Sequence, residues 1–279
     1  MPKSTPRKRS PLFIFGPPVL LSILGFGLLI QSGILASPKL EMINEQNRIS
    51  AAQGLVPPTL GLTDYIYPRL TIESANQPLV VVNKQRALDP IDFAPSNLVV
   101  MPSSKSLDNS RELVLASSAA NALVLMAEQM HAEGYGQLFV NSAYRTYDYQ
   151  VELFESKTRQ YGLAGALVRS AKAGHSEHQT GLAVDVSVPA QGCAIMTCFG
   201  ETAAGKWVAS NSWQFGFIVR YEEETTAITG YSYEPWHLRF VGEALAAEYS
   251  ENGIHTLEEF WSLPAAEFYP EEDAESKVD

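Results

Sequence analysis

The stretch from His175 to Val188 reads HSEHQTGLAVDVSV. Its second half alternates: Leu182, Val184, Val186 and Val188 fall on one face of an extended chain, and Ala183, Asp185 and Ser187 on the other. The strand thus carries a carboxylate among apolar neighbours. A charge there is costly unless it is paired, hydrogen-bonded or bound to a metal. The segment QTGLAV before Asp185 is neutral, which leaves His178 as the nearest partner in sequence.

An ion pair between Asp185 and His178 would meet that cost, and a lone histidine beside a strand is more often a core residue than a ligand. Zinc would meet it as well: His178 would supply a nitrogen, Asp185 an oxygen, and a third ligand must come from elsewhere. His237, in EPWHLRFVG, is the best candidate. A catalytic zinc site leaves its fourth position to water, whose proton needs a base. Glu234 stands three residues before His237, with Pro235 restricting the backbone between them. Separate core explanations for His178 and Asp185 would not predict this second His/Glu cluster. HSEH is not HExxH, so the zinc-helix motif is absent, and His175 is read as flanking the site or supporting its ligands.

Working outward, LVVVN (79–83) has the texture of a strand, and RELVLASSAANALVLMAEQMHAEG (111–134) spaces its apolar residues as a helix before a glycine stop. QLFVNSAYR predicts a strand ending at Arg145, and TYDYQVELFESKTRQYG a helix closed at Gly162 with Asp148 as N-terminal charge. AAGKWVASNSWQFG reads as a helix, GFIVRY and EPWHLRFVG as strands, and EALAAEYSENG as a last helix. Helices and strands mix without βαβ alternation, which points to an α+β domain with an antiparallel sheet and flanking helices.

The chain opens with Lys3, Arg7, Lys8 and Arg9, then runs uncharged from 11 to 38. The 26-residue segment PLFIFGPPVLLSILGFGLLIQSGILA is long enough to cross a bilayer. It reads as a single N-terminal transmembrane helix, an uncleaved signal-anchor with its basic tip in the cytoplasm; the alternative is cleavage after Ala36, and both export the remainder. The expected division is therefore 1–38 tip and anchor, 39–77 a Pro-bearing extracytoplasmic stem, 78–250 the folded domain, and 251–279 an acidic, solvated tail. The net charge of −11 becomes about −15 beyond residue 38, which argues against a nucleic-acid partner. Cys193 and Cys198, in QGCAIMTCFG, read as a disulfide in an exported loop that shapes a rim; two unpaired thiols are the alternative, and no further ligands follow in the loop for a zinc site.

SEHQTGLAVD fits the pattern SxHxxGxAxD, and EPWH fits ExxH. With VVVNKQ, SAYRTYDYQ, GFIVRY and TGYSYEPWH, these motifs make residues 78–250 resemble the VanY-type D-alanyl-D-alanine carboxypeptidases, zinc peptidases sharing a fold with hedgehog and lysostaphin-type domains. The resemblance implies zinc held by His178, Asp185 and His237, with Glu234 as catalytic base. It implies a role for Arg145 in binding substrate and steadying developing charge, and it places Gln150 and Ser176 along the peptide groove. The residue-level reading of Arg145 agrees, since a guanidinium at a strand end can grip a carboxylate bidentately; a surface salt bridge, for example to Asp148, is the alternative. Tyr144, Tyr147 and Trp236 stand near these motifs as packing or groove residues, and Arg220 and Tyr221 follow the pattern without an assigned role.

The implied activity is removal of the terminal D-alanine from peptidoglycan stem peptides by a membrane-anchored enzyme whose domain lies outside the cytoplasm. Alternatives are L,D-carboxypeptidase action on tetrapeptide stems and a zinc-stabilised wall-binding module without turnover. A lysostaphin-type endopeptidase ranks last, because Leu238 and Arg239, not an HxH element, follow His237.

Overall fold

A computed structural model describes residues 72–270. The strands are β1 (Leu98–Val100), β2 (Leu107–Asp108), β3 (Val114–Ala116), β4 (Leu138–Ser142), β5 (Ala183–Ser187), β6 (Phe217–Tyr221) and β7 (Glu234–Phe240). The helices are α1 (Ser117–Ala132), α2 (Tyr147–Leu167), α3 (Ala203–Asn211), α4 (Thr226–Thr229), α5 (Glu243–Glu251) and α6 (Leu257–Phe260). Five strands form one sheet in the order β2-β4-β5-β7-β6, and β1 pairs with β3 in a separate ribbon. This is a mixed α+β fold. The expected antiparallel sheet holds for β4, β5, β7 and β6, but β2 joins the edge parallel to β4.

The alternation read in β5 is realised. Leu182, Val184, Val186 and Val188 enter the main core with Leu123, Met126, Leu138, Val140 and Leu238. Each fully buried side chain of this kind stabilises the fold by about 1.5–3 kcal/mol. α1 and α3 cover this face, and the opposite face carries the charged residues described below. A second cluster, with Ile218, Val241, Leu245, Tyr249, Leu257 and Phe260, packs α5 and α6 beside β6.

Three local expectations are corrected. The run LVVVN forms no strand: the Val80 carbonyl accepts from Arg239 Nη2 at 2.7 Å, and that of Val81 from Arg86 Nε at 3.3 Å, so arginines replace a neighbouring strand. The helix expected over 111–134 begins only at Ser117, because Val114–Ala116 pair with Leu98–Val100. The helical path of α2 breaks at Gly162 as expected, at φ 72°, ψ 168°, but it does not stop there: a second stretch of helix follows to Leu167.

The packed domain also extends past residue 250. Leu257, Glu258, Phe260, Ala266 and Tyr269 are buried, so this part of the expected solvated tail belongs to the fold, as do Ile72 and Ala75 at the other end. Apolar residues spaced along an acidic segment find the second cluster, and Glu258 finds an arginine. Among the described residues no helix is long and apolar enough to cross a membrane. The expected anchor, residues 1–38, lies outside them, with nearly all of the stem.

Candidate metal centre and groove

Sheet register assembles the site. Ser142 on β4 pairs with Asp185 on β5, and Asp185 pairs with His237 on β7, so three strands put these residues in one row. His178 arrives from the preceding turn. Residues Glu177–Thr180 form a short 3-10 helix that Gly181 ends at φ 71°, a left-handed conformation that favours glycine. A Cβ at Gly181 would also stand 2.9 Å from Leu98 Cδ2. The turn folds His178 back over β5 and sets its Nε2 3.4 Å from Asp185 Oδ1.

The two histidines present opposite nitrogens to this one oxygen. His178 Nδ1 lies 2.7 Å from the Ala143 carbonyl, to which it donates, leaving the Nε2 lone pair toward Asp185. His237 Nε2 lies 3.2 Å from Glu177 Oε2, and its Nδ1 is 3.2 Å from Asp185 Oδ1. The rings meet edge to face at 4.9 Å. Asp185 Oδ1 is buried and makes no hydrogen bond. A buried acceptor with no aligned hydrogen bond, flanked by two imidazole nitrogens whose far sides are held by a carbonyl and a carboxylate, fits a zinc ion. The three ligand atoms lie within 4.8 Å of one another.

The surrounding charges are fixed by burial. Glu177 has no exposed side chain; its Oε1 accepts from Arg220 Nε at 2.8 Å and Arg239 Nη1 at 3.0 Å. Burial alone would raise its pKa, but the two guanidinium groups hold it well below the usual carboxylate range. Arg220 is held in turn by Glu258, at 2.7 Å and 3.0 Å. Burial also opposes ionisation of Asp185, yet His178 and His237 keep it well below its ordinary value. His178 is pushed down to about 4, first by burial and then by Arg145, which leaves it neutral as a ligand must be. His237 moves the other way: burial opposes the charge, but Asp185 and Glu177 raise it to about 9.

Glu234 stands at the start of β7, with Oε2 3.8 Å from His237 Nδ1. Burial pushes its carboxyl up to about 7, against the pull of His237. Arg145 donates from Nη2 to Asp185 Oδ2 at 3.1 Å, from Nε to Ser142 Oγ at 3.0 Å, and from Nη1 to Gln150 Oε1 at 3.3 Å. A guanidinium has five N–H groups, so one remains on each terminal nitrogen. Its ion-pair partner is Asp185, not Asp148.

A groove of about 740 Å³ passes over this cluster, with Arg145, Ser176, His178, Asp185, Glu234 and His237 in its lining. Gln150 is corrected: wholly buried, it lies behind Arg145 and braces it through the Ala171 carbonyl and Ser170 without reaching the groove. Tyr144 and Trp236 line the groove and Tyr147 does not. His175 bonds through Nδ1 to the Asn83 carbonyl at 2.8 Å and meets Tyr269 edge-on at 5.0 Å; it lies outside the three-residue cluster. Cys193 and Cys198 are joined, and Ile195 and Thr197 between them form part of the groove rim.

Sequence reasoning passed over Glu177, Arg239 and Glu258 and gave Arg220 no role. The signal was available in part: FIVRY and WHLRF each place an arginine in an apolar strand, the same anomaly that drew attention to Asp185.

A family model described as VanY, D-alanyl-D-alanine carboxypeptidase, matches residues 112–243. A curated relative, the putative carboxypeptidase YodJ of Bacillus subtilis (strain 168), is 41% identical over 192 residues, 68% of this chain and 69% of the relative. The solved LdcB LD-carboxypeptidase is similar at 40% identity with a TM-score of 0.61, over 67% of this chain and 87% of that one. A vancomycin-resistance D,D-pentapeptidase VanY, solved in complex with Zn(II), is 30% identical with a TM-score of 0.52, over 66% of this chain and 98% of that one. Fold and neighbours together define a carboxypeptidase of the hedgehog-like peptidase architecture. The chain belongs to the VanY family of D-alanyl-D-alanine carboxypeptidases.

Proposed function

We propose that the protein is a zinc-dependent D-alanyl-D-alanine carboxypeptidase that trims peptidoglycan stem peptides. One observation carries the reading: the buried, hydrogen-bond-free Oδ1 of Asp185 faces His178 Nε2 and His237 Nδ1, beside an acid whose pKa is raised to about 7. Zinc held by His178, Asp185 and His237 would supply Lewis acidity, polarising the scissile carbonyl and lowering the pKa of water.

The chain's own residues do the rest. Glu234 lines the groove with a pKa raised to about 7, where it can accept a proton from the attacking water and return it to the leaving amine. The two spare N–H groups of Arg145 suit the oxyanion or the substrate's terminal carboxylate, and Asp185, Ser142 and Gln150 hold the guanidinium in place. Ser176 lines the same groove as a polar contact for the peptide.

A second reading, L,D-carboxypeptidase action on tetrapeptide stems, is favoured by the higher identity to LdcB, 40% against 30% for the D,D-pentapeptidase. Digestion of matched penta- and tetrapeptide stems, with mass analysis and with and without chelator, separates the two by which loses alanine. Release from neither defeats both, and release that survives chelation defeats the zinc assignment. The same reading puts the domain outside the cytoplasm behind the uncharged 11–38 segment, in keeping with the Cys193–Cys198 disulfide. A non-catalytic wall-binding role would give Glu234 and the spare Arg145 donors nothing to do.

A further inference from the structure

One wall of the groove is a single helical row. Tyr149, Leu153, Lys157 and Tyr161 line it at four-residue spacing, which stacks them along one face of α2 over about 18 Å. The other charged residues of this helix, Asp148, Glu152, Glu155 and Arg159, do not line the groove. After the kink at Gly162 the chain brings Arg169 back to the same place. Its guanidinium lies 5.2 Å from the centre of the Tyr161 ring, and Lys157 Nζ lies 5.7 Å from that centre. Tyr161 is 45% exposed, so the ring and both cations face the groove, not the core.

Among the described residues neither Lys157 nor Arg169 forms an ion pair with a carboxylate. The Arg169 guanidinium donates to the carbonyl of Gly165, at 2.9 Å, one turn back. Lys157 is near enough to Glu234 to pull its pKa down, but in a chain of net charge −11 the two cations gathered on one ring have no carboxylate at ion-pair distance among the described residues. Cations placed over an aromatic face are held in position while their remaining donors stay open, an arrangement suited to an anion.

We propose that Lys157, Arg169 and the Tyr161 ring form a subsite for a second carboxylate of the substrate, on the peptide upstream of the bond that is cut. The inference rests on the carboxypeptidase reading for its direction: the terminal carboxylate belongs at Arg145, so a carboxylate on the helical wall must belong to an earlier residue. The subsite selects peptides that carry an internal free carboxylate over the same peptides with that group amidated.

The test uses two alanine-terminated peptides that differ only in one internal group, a free carboxylate or its primary amide. Binding is titrated calorimetrically on the zinc-loaded Glu234→Gln protein, so that peptide is not consumed, with and without the double substitution Lys157→Met and Arg169→Gln. The expected result is about tenfold tighter binding of the acid than of the amide, lost in the double variant, with amide binding unchanged. Equal weakening of both peptides would mark a structural role and overturn the proposal, as would the absence of any preference or of any binding. Turnover of the same peptides by the unsubstituted zinc enzyme is followed in parallel. If it cuts neither peptide while the calorimetric preference persists, the proposed activity fails and the anion subsite stands; turnover without preference removes the subsite alone.

Discussion

Asp185 and His237 face each other as register partners on adjacent antiparallel strands, with His237 Nδ1 3.2 Å from Asp185 Oδ1. The pairing sets one candidate ligand directly beside the next without a loop between them, so the spacing of the site is as rigid as the sheet. Because Oδ2 of the same carboxylate is taken by Arg145, only Oδ1 is free for a metal. Asp185→Ala is expected to lower zinc affinity at least 100-fold, measured by chelator competition. Undiminished affinity would remove Asp185 from the ligand set.

Zinc uptake should be coupled to proton release. In the metal-free protein burial works against a charged His237, yet the carboxylates of Asp185 and Glu177 raise it to about 9, so Nδ1 carries a proton at neutral pH even though it makes no aligned hydrogen bond to Oδ1. A metal at Nδ1 must displace that proton. Calorimetry at pH 7 in buffers of different ionisation enthalpy is expected to show about one proton released, with affinity rising as pH approaches 9. Zinc binding with no proton released would place the metal on a different atom.

Glu234→Gln should retain zinc while turnover falls by about 10²–10⁴-fold. The pH dependence has a defined sign. Burial raises the Glu234 carboxyl to about 7, so the favourable protonated form is fully present below the ordinary value near 4.5 and is lost as pH rises through 7. In chelated protein the ionised group is expected to cost on the order of 3 kcal/mol above pH 8. The variant should melt higher than the parent there and lose that advantage by pH 4. An advantage equal at every pH would point to packing instead of ionisation.

Glu258 lies far along the chain from the ligands but acts on them through Arg220, Glu177 and His237. All three charged side chains leading to His237 are fully buried, so removing one acid leaves the buried arginines short of a counter-charge. Glu258→Gln is expected to cost about 3–5 kcal/mol in denaturant unfolding. Glu177→Gln should do the same and also weaken zinc binding about 10–100-fold, since it loses the acceptor that orients His237. Wild-type zinc affinity in Glu177→Gln would show that the His237 tautomer is set elsewhere.

The legible part of the site was its most local part. Asp185 stood out because a two-residue period exposes a charge on the wrong face, and EPWH stood out because acid and imidazole are three residues apart. Arg220 and Arg239 carried the same mark of a charge in an apolar strand, but their partners Glu177 and Glu258 are 43, 62 and 38 residues away in the chain. LVVVN misled for a related reason: its composition suits a strand, while its carbonyls are taken by the nearby Arg86 and by Arg239 from a distant segment.

The sequence by itself determined what depends on neighbours along the chain: the alternation of β5, the α+β mixture, and the types and spacing of the candidate metal-site residues within each motif. Tertiary structure alone decided which nitrogen each histidine offers, that Asp185 divides its oxygens between a metal position and Arg145, and that Gln150 lies behind the groove. It also decided that the segment after residue 250 is part of the domain and holds Arg220 in place. These are properties of contacts between distant segments. Burial makes such contacts necessary, because an unpaired charge in the interior is costly, but only the folded register shows which partner meets each one.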